Sequence, residues 1–514
     1  MTAPNPPIET RTLAGAVPAT HARVAREQWI DAVLAVRESG GRLVALWGSD
    51  NRDRDAGFAV TGAFALPGGL RVIELAVPPG EKYPGLTGLF AGASRMQRAI
   101  RDLLGVEPDD GGDARPWLRH GAWAADEFPL RRDFDAARPR ANPQADYPFV
   151  RVEGDGVHEI PVGPIHAGII EPGHFRFSVV GEKVLRLEER LGYKHKGIDR
   201  RFADFAIADG YRLAGRVSGD STVAFQWAYA QAAESLSGIE PPPRARWLRA
   251  LMLERERVAN HLGDLGALGN DAALAFALSQ FMRLKEDWLR LTAEAFGHRF
   301  AMDRIVPGGV EADLAGPMRE RFLAQADSVE REARELHDIF DESSSLQDRF
   351  ITTGRLTPEQ AHAFGVTGLA GRASGQAFDL RVDLPCDPYP ALEVRKVVHS
   401  AGDVATRVKV RFEELQESLR LVRAIAAGLP GGELRAAMPQ PAPGAFGVGF
   451  VEGWRGEVLV ALEAGDGGRI RRCHAHDPSW QAWPAVEHAV IGNIVPDFPL
   501  INKSFNLSYS GEDC

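Results

Sequence analysis

The sequence predicts an α+β protein: a small N-terminal α+β domain followed by a long-helix bundle domain with peripheral β-sheets. Three observations predict it. Short β-branched runs separated by Gly, Asp and Pro fill the first part of the chain. Long segments with apolar residues at helical spacing fill the middle, and strand-like runs return near the C-terminus. The 514 residues have room for about two to four domains, and 44% hydrophobic with 25% charged residues describes a chain with real cores. Disordered, collagen-like and disulfide-stapled classes are excluded.

After a Pro-rich start, Thr20 is a candidate cap for a helix carrying Val24, Ile30, Val33 and Leu34 on one face. Strand-like runs follow at Arg42–Trp47, Phe58–Leu66 and Leu70–Val77, read as an antiparallel sheet, then an amphipathic helix over roughly 91–104. This makes a first domain over 1–137. The polar, Pro-rich stretch 138–150 reads as a linker to a second domain over 151–514. That domain begins with a β-rich patch, about 149–190, and continues into helices. Pro241–Pro243 lead into one with Trp247, Leu248, Leu251, Val258, Leu262 and Leu265 at helical spacing, and Ala272–Glu294, Ala315–Phe340 and Val404–Ala427 read the same way. Long helices joined by short turns imply a bundle. Strands return at Gly447–Val451 and Glu457–Glu463 before a Trp/Pro-rich segment.

Charge and cysteine usage narrow the function. A net charge of −10, with only 8 lysines among the 60 basic residues, gives no basic surface for nucleic acid. Cys386, Cys473 and Cys514 form no CxxC, so the chain holds no iron–sulfur cluster or cysteine zinc site of its own in the usual way. No run of 18 apolar residues and no signal-peptide core occur, so the expectation is a cytoplasmic chain, without a span of its own, attached to the membrane's inner face through partners. There is no P-loop and no GxGxxG in a strand–helix context, which speaks against nucleotide binding.

Several segments together resemble the nickel–iron hydrogenase large subunits and the homologous quinone-site subunit of respiratory complex I. They are Gly163-Pro-Ile-His-Ala-Gly-Ile-Ile-Glu-Pro-Gly-His174, Gly192-Tyr-Lys-His-Lys-Gly197, Arg216-Val-Ser-Gly-Asp-Ser221 and Gly365-Val-Thr-Gly368. Arg372-Ala-Ser-Gly375 with Asp379-Leu-Arg381, Glu452-Gly-Trp-Arg-Gly-Glu457 and Asn502-Lys-Ser-Phe505 complete the series. Tyr83-Pro-Gly-Leu-Thr87, Asp102-Leu-Leu-Gly105 and Phe128-Pro-Leu-Arg-Arg-Asp133 make the first domain similar to the 30-kDa subunit of complex I. The fusion resembles the large subunit of energy-converting, formate hydrogenlyase-type hydrogenases.

In those hydrogenases two CxxC pairs cage nickel and iron, because soft thiolates suit these metals. Here the matching positions are Ser218 and Ser221, with Phe225 where a histidine often follows, and Ser508 and Gly511. All four thiols are gone. A serine hydroxyl stays protonated near neutral pH, and glycine offers no ligand, so no nickel–iron centre is expected. Nor is the C-terminal processing of metal-loaded relatives expected, since the sequence runs only three residues past Gly511.

The resemblance implies three cavity residues, Glu171 and His174 as proton-handling groups and Arg455 over the former iron position; Asp220, between the two serines, is the candidate ion partner of Arg455. A glutamate in a closed cavity would have its charged form disfavoured. Turn-stabilising and ion-pairing roles for these residues remain open. His166 and Asp271 match the region that holds a quinone headgroup in complex I, while Gly219 stands near its tyrosine. Tyr193, His195 and Lys196 read as lining the contact with an iron–sulfur partner, and Cys473-His-Ala-His476 as a loop. The implied role is a peripheral-arm subunit of a membrane-bound oxidoreductase. It would pack against an iron–sulfur small subunit that bears a [4Fe–4S] cluster and against polytopic antiporter-like membrane proteins, with quinone as a candidate ligand of its own cavity. Quinone reduction and a redox-silent scaffold are the alternatives.

Overall fold

The computed structural model describes residues 8–138, 140, 146–167 and 170–514. Strands β1 (Thr10–Leu13), β2 (Ala19–Val24), β3 (Arg42–Asp50), β4 (Phe58–Leu66) and β5 (Gly69–Val77) form one sheet in the order β1-β2-β5-β4-β3. The hairpins β3–β4 and β4–β5 are antiparallel, as the short turns require, but β2 pairs parallel to β5. Thr20 therefore lies in a strand and caps nothing. The helix α1 (Arg26–Glu38) starts at Ala25, whose N–H is taken by the Gln28 side chain. Helix α2 (Ala93–Leu104) follows.

Nearly every residue of β4 is buried. One core joins Phe58, Val60 and Phe64 to Trp29 and Met96 of the helices. A second core joins Val44, Trp47 and Ala63 to Val448, Phe450 and Leu459 of the C-terminal sheet. The sheet is thus covered on both faces, which explains a strand without polar alternation. Of the expected linker, residues 139 and 141–145 lie outside the described residues; Tyr147, beyond them, accepts from Arg98 at 2.7 Å.

Strands β6 (Val157–Val162), β7 (His174–Val180) and β8 (Lys183–Arg190) make an antiparallel meander. Helix α3 (Thr222–Ser237) is buried on almost every side and runs through the middle of the molecule. Around it stand α4 (Pro243–Asp271), α5 (Ala275–Phe296), α6 (Gly316–Glu342) and α7 (Val404–Gly428). A three-stranded antiparallel sheet, β9 (Phe446–Glu452), β10 (Glu457–Ala464) and β11 (Ile470–His476), closes over α3. Cys473, His474 and His476 belong to β11 and not to a loop, because the residues from Leu459 to Ala464 find their cross-strand partners there in turn, with one bulge at the end. The chain ends in α8 (Ser479–Ala489), α9 (Phe498–Phe505) and α10 (Tyr509–Asp513). No helix among the described residues is long and apolar enough to cross a membrane.

The motifs beginning at Arg372, Asp379 and Glu452 meet in a buried ionic knot. Arg372 donates to Glu414 and Glu452, both at 2.8 Å. Arg381 donates to Asp379 at 2.7 Å and to Glu254 at 3.2 Å, and Tyr389 and Ser418 also donate to Glu254, each at 2.8 Å. Each carboxylate here meets a guanidinium, and the cationic neighbours hold Asp379, Glu254 and Glu414 below the usual carboxylate range. Glu452 is the exception: burial and the nearby Asp379 push it up. The knot ties α4 and α7 to β9.

Candidate functional site

The four positions that match the metal ligands converge, although they come from two loops almost 300 residues apart. Ser218 precedes the short turn Gly219–Ser221 that leads into α3, and Ser508 starts α10. The hydroxyl of Ser218 donates to Asp220 at 2.9 Å and lies 2.8 Å from the Ser508 hydroxyl. An ionised Asp220 can only accept, so Ser508 is the donor to Ser218. Ser508 in turn accepts the Gly511 N–H at 2.8 Å, which caps α10. Ser221 accepts from Arg455 at 3.2 Å.

Arg455 organises the site. Its Nη1 and Nη2 grip Asp220 at 2.7 and 2.5 Å, its Nε donates to the Asn506 carbonyl at 2.6 Å, and it stacks 4.0 Å over Trp454. The guanidinium and the Ser218 hydroxyl hold Asp220 down at about 2 against the opposing effect of burial. The Asp220 carboxylate keeps an edge open, with 41% of its side chain exposed, while Arg455 is 6% exposed. The Gly365-Val-Thr-Gly368 motif serves this loop: Gly368 has φ +61°, and a Cβ there would lie 1.9 Å from the Arg455 carbonyl.

The Glu171–His174 element sits at the rim. Glu171 accepts the Ser510 N–H at 3.0 Å and lies 3.8 Å from Lys194, with its side chain 40% exposed. With that exposure, Glu171 is not enclosed among the described residues. His174 bonds the Gly163 carbonyl through Nδ1 at 3.1 Å, and its buried Nε2 has no partner among the described residues; burial lowers its pKa. His166 bonds the Gly173 carbonyl at 2.7 Å, within the same turn. Asp271 is exposed at the end of α4, and its charge acts with Lys503 rather than with His166. The structure therefore joins Ser218, Ser221, Ser508, Gly511, Asp220 and Arg455, sets Glu171 beside Ser510, and leaves His166 and Asp271 apart.

The Gly192–Gly197 loop is fastened from within. Asp513 accepts the Gly192 and Lys194 N–H groups at 2.7 and 2.6 Å, and Lys196 donates to the Arg216 and Val217 carbonyls. Tyr193 remains exposed.

Two groups carry no signal in the sequence. Glu256 on α4 accepts the Val223 and Ala224 N–H groups at the start of α3, at 2.7 and 3.3 Å, and burial pushes it up to about 8. Lys285 on α5 lies against Gly263, where a Cβ would come within 2.5 Å of its Nζ, and its charge acts on Asp264 and Asp220. Either becomes visible only once α4 and α5 are placed side by side.

A nickel–iron centre does not fit these residues. The Ser218 and Ser508 hydroxyls are committed to Asp220, to each other and to a helix N-terminus, and Gly511 has no donor atom. Among the described residues, no group of three or more His, Cys, Asp or Glu is placed to hold a metal ion.

Fold and site define a hydrogenase large subunit-like protein carrying an additional N-terminal α+β module. Comparison with known proteins agrees. Residues 22–140 match the model of the respiratory-chain NADH dehydrogenase 30 Kd subunit, and residues 271–445 that of its 49 Kd subunit. Formate hydrogenlyase subunit 5 of Escherichia coli (strain K12) is 31% identical over 490 residues, covering 93% of this chain and 85% of the relative. An NADH-quinone oxidoreductase subunit of Phocaeicola vulgatus is 27% identical over 403 residues, covering 74% of this chain and 77% of the relative. The solved structure of the membrane-bound sulfane sulfur reductase, an archaeal respiratory membrane complex, contains a chain that superposes with a TM-score of 0.66 at 24% identity. The superposition covers 70% of this chain and 99% of that one. The chain belongs to the family of fused complex I 30-kDa/49-kDa-type subunits that includes formate hydrogenlyase subunit 5.

Proposed function

We propose that this chain is the peripheral-arm, large-subunit-type component of a membrane-bound oxidoreductase related to complex I and the energy-converting hydrogenases, and is not itself a hydrogenase. The observation that carries the reading is the closure of the ligand loops by hydroxyl hydrogen bonds and the Arg455–Asp220 pair, with the surrounding family scaffold intact. Electrons would arrive from a [4Fe–4S] cluster in a small subunit, and their arrival would be coupled to proton or ion movement through antiporter-like membrane subunits. The names of the relatives, a formate hydrogenlyase, an NADH-quinone oxidoreductase and a respiratory sulfur reductase complex, support such a setting.

In this mechanism Arg455 fixes Asp220, and the Ser510, Ser508 and Ser218 hydroxyls form a line ending on that carboxylate, with oxygen separations of 3.4, 2.8 and 2.9 Å. A line of hydroxyls ending on an acceptor can carry a proton along the loop without a metal. Affinity purification from detergent-solubilised membranes tests the assignment. Co-purification of an iron–sulfur small subunit with polytopic antiporter-like chains is the expected result; recovery of the chain alone from the soluble fraction would overturn it. In the same preparation, activity abolished by quinone-site inhibitors would establish quinone reduction, and normal activity after Arg455→Ala with normal assembly would establish a scaffold role.

A further inference from the structure

Directly behind the ligand loop lies a group of carboxyls with too few cations. Arg95 of α2 donates to Glu189 of β8 and Glu487 of α8, both at 3.0 Å, and Glu512 of α10 acts on the same guanidinium. Glu512 is fully buried, and among the described residues neither of its oxygens has a hydrogen-bond partner. One oxygen of Glu189 is likewise unpartnered, as is Arg95 Nη1. The Trp117 indole N–H lies beside Glu512, short of bonding geometry.

The group continues to the ligand loop through Asp477, which is completely buried and has Oδ2 unpartnered among the described residues. That carboxyl occupies the space left by the missing side chain of Gly511: a Cβ there would fall 2.6 Å from it. Its charge acts on Arg455 on one side and Glu512 on the other. Asp513 is held by the Gly192 and Lys194 N–H groups, and Glu171 acts on it from the rim. At the opposite end Glu487 reaches solvent, with 24% of its side chain exposed.

A buried carboxylate without donors is costly, and protonation removes the cost. Burial accordingly pushes Glu189, Glu512 and Asp477 up, and Asp513 to about 7. We propose that Glu487, Glu189, Glu512 and Asp477 form a proton path from the surface to Gly511, the emptied fourth ligand position. The path deepens the function proposed above and rests on it only for its destination. Each carboxyl takes a proton on one oxygen and releases one from the other; only O–H bonds form and break, and no oxidant or reductant takes part. Arg95 Nη1 and Trp117 Nε1 are unpaired donors of the kind a bridging water satisfies along such a route.

Infrared spectroscopy of the purified full-length chain, transferred from H2O to D2O at neutral pH, tests the path without requiring an activity. The wild type is expected to show a protonated-carboxyl C=O band that shifts promptly in D2O. Glu512→Gln should remove part of that band, and Glu487→Gln should keep the band but slow its shift at least about tenfold. Absence of the band, a band indifferent to Glu512→Gln, or equal exchange in Glu487→Gln would overturn the path. Because Glu487 is partly exposed, its variant decides the matter even if Glu512→Gln does not fold. Failed co-purification with normal exchange would instead refute the destination and leave the path standing.

Discussion

Two buried ionic regions of this molecule use the same residue types to opposite ends. In the knot of Glu254, Arg372, Asp379, Arg381 and Glu414, each carboxylate has an arginine partner, although Glu414 Oε2 makes no hydrogen bond among the described residues, and the three carboxylates are held below their ordinary pKa. Behind the ligand loop, Glu189, Glu487 and Glu512 share the single Arg95, and burial pushes Glu189 and Glu512 up. Family motifs with acidic and basic residues therefore do not all mark chemistry. The Arg372, Asp379 and Glu452 motifs clamp helices to a sheet, while Glu512, which belongs to none of them, is the group left free to exchange a proton.

Substitution separates the two regions. Arg372→Ala strands Glu414 and Glu452 in a dry interior, and is expected to cost about 3–5 kcal/mol in denaturant unfolding. A cost under about 1 kcal/mol would mean the knot holds nothing. Arg455→Ala should cost less, about 2 kcal/mol, because Asp220 keeps an open edge and can hydrate. The Asp220 contribution is present above pH 3.8 and lost as pH falls towards about 2, so acid unfolding should separate this variant from wild type only above that window.

Glu512→Gln should have the smallest effect at acidic pH, within about 0.5 kcal/mol, since it replaces one neutral group by another of similar shape. The folded chain keeps the Glu512 proton above 4.5, where the unfolded chain releases it, so its stabilising contribution is present below 4.5 and lost as pH rises. Thermal unfolding from pH 5 to 9 should therefore show the variant gaining on wild type as pH rises. A gap of constant size would contradict the distinction between the two regions.

Periodicity decides how much of this molecule is legible in its sequence. Phe58–Leu66 is legible to the residue, and the long helices to within a few, because β-branched runs and amphipathic stripes announce themselves. Helix α3 is not, since burial on every face erases the stripe. Thr20 looks like a cap, yet Ala25 and Gln28 start the helix; β11 looks like a loop because its histidines are polar. In the site, the resemblance, with Asp220 read from its place between the two serines, points to Ser218, Ser221, Ser508, Gly511, Asp220 and Arg455, which the fold does bring together. Neither signal shows that the Glu171 side chain is 40% exposed, nor that an acidic residue near the C-terminus, Glu512, is fully buried.

Everything proposed for this site depends on the Ser218 and Ser508 loops being held together by protein hydroxyls and an ion pair. Elemental analysis of the complex purified through this chain, with nickel counted per copy, decides the matter. Iron from the iron–sulfur partner with nickel at background is the predicted result; about one nickel per chain would contradict it.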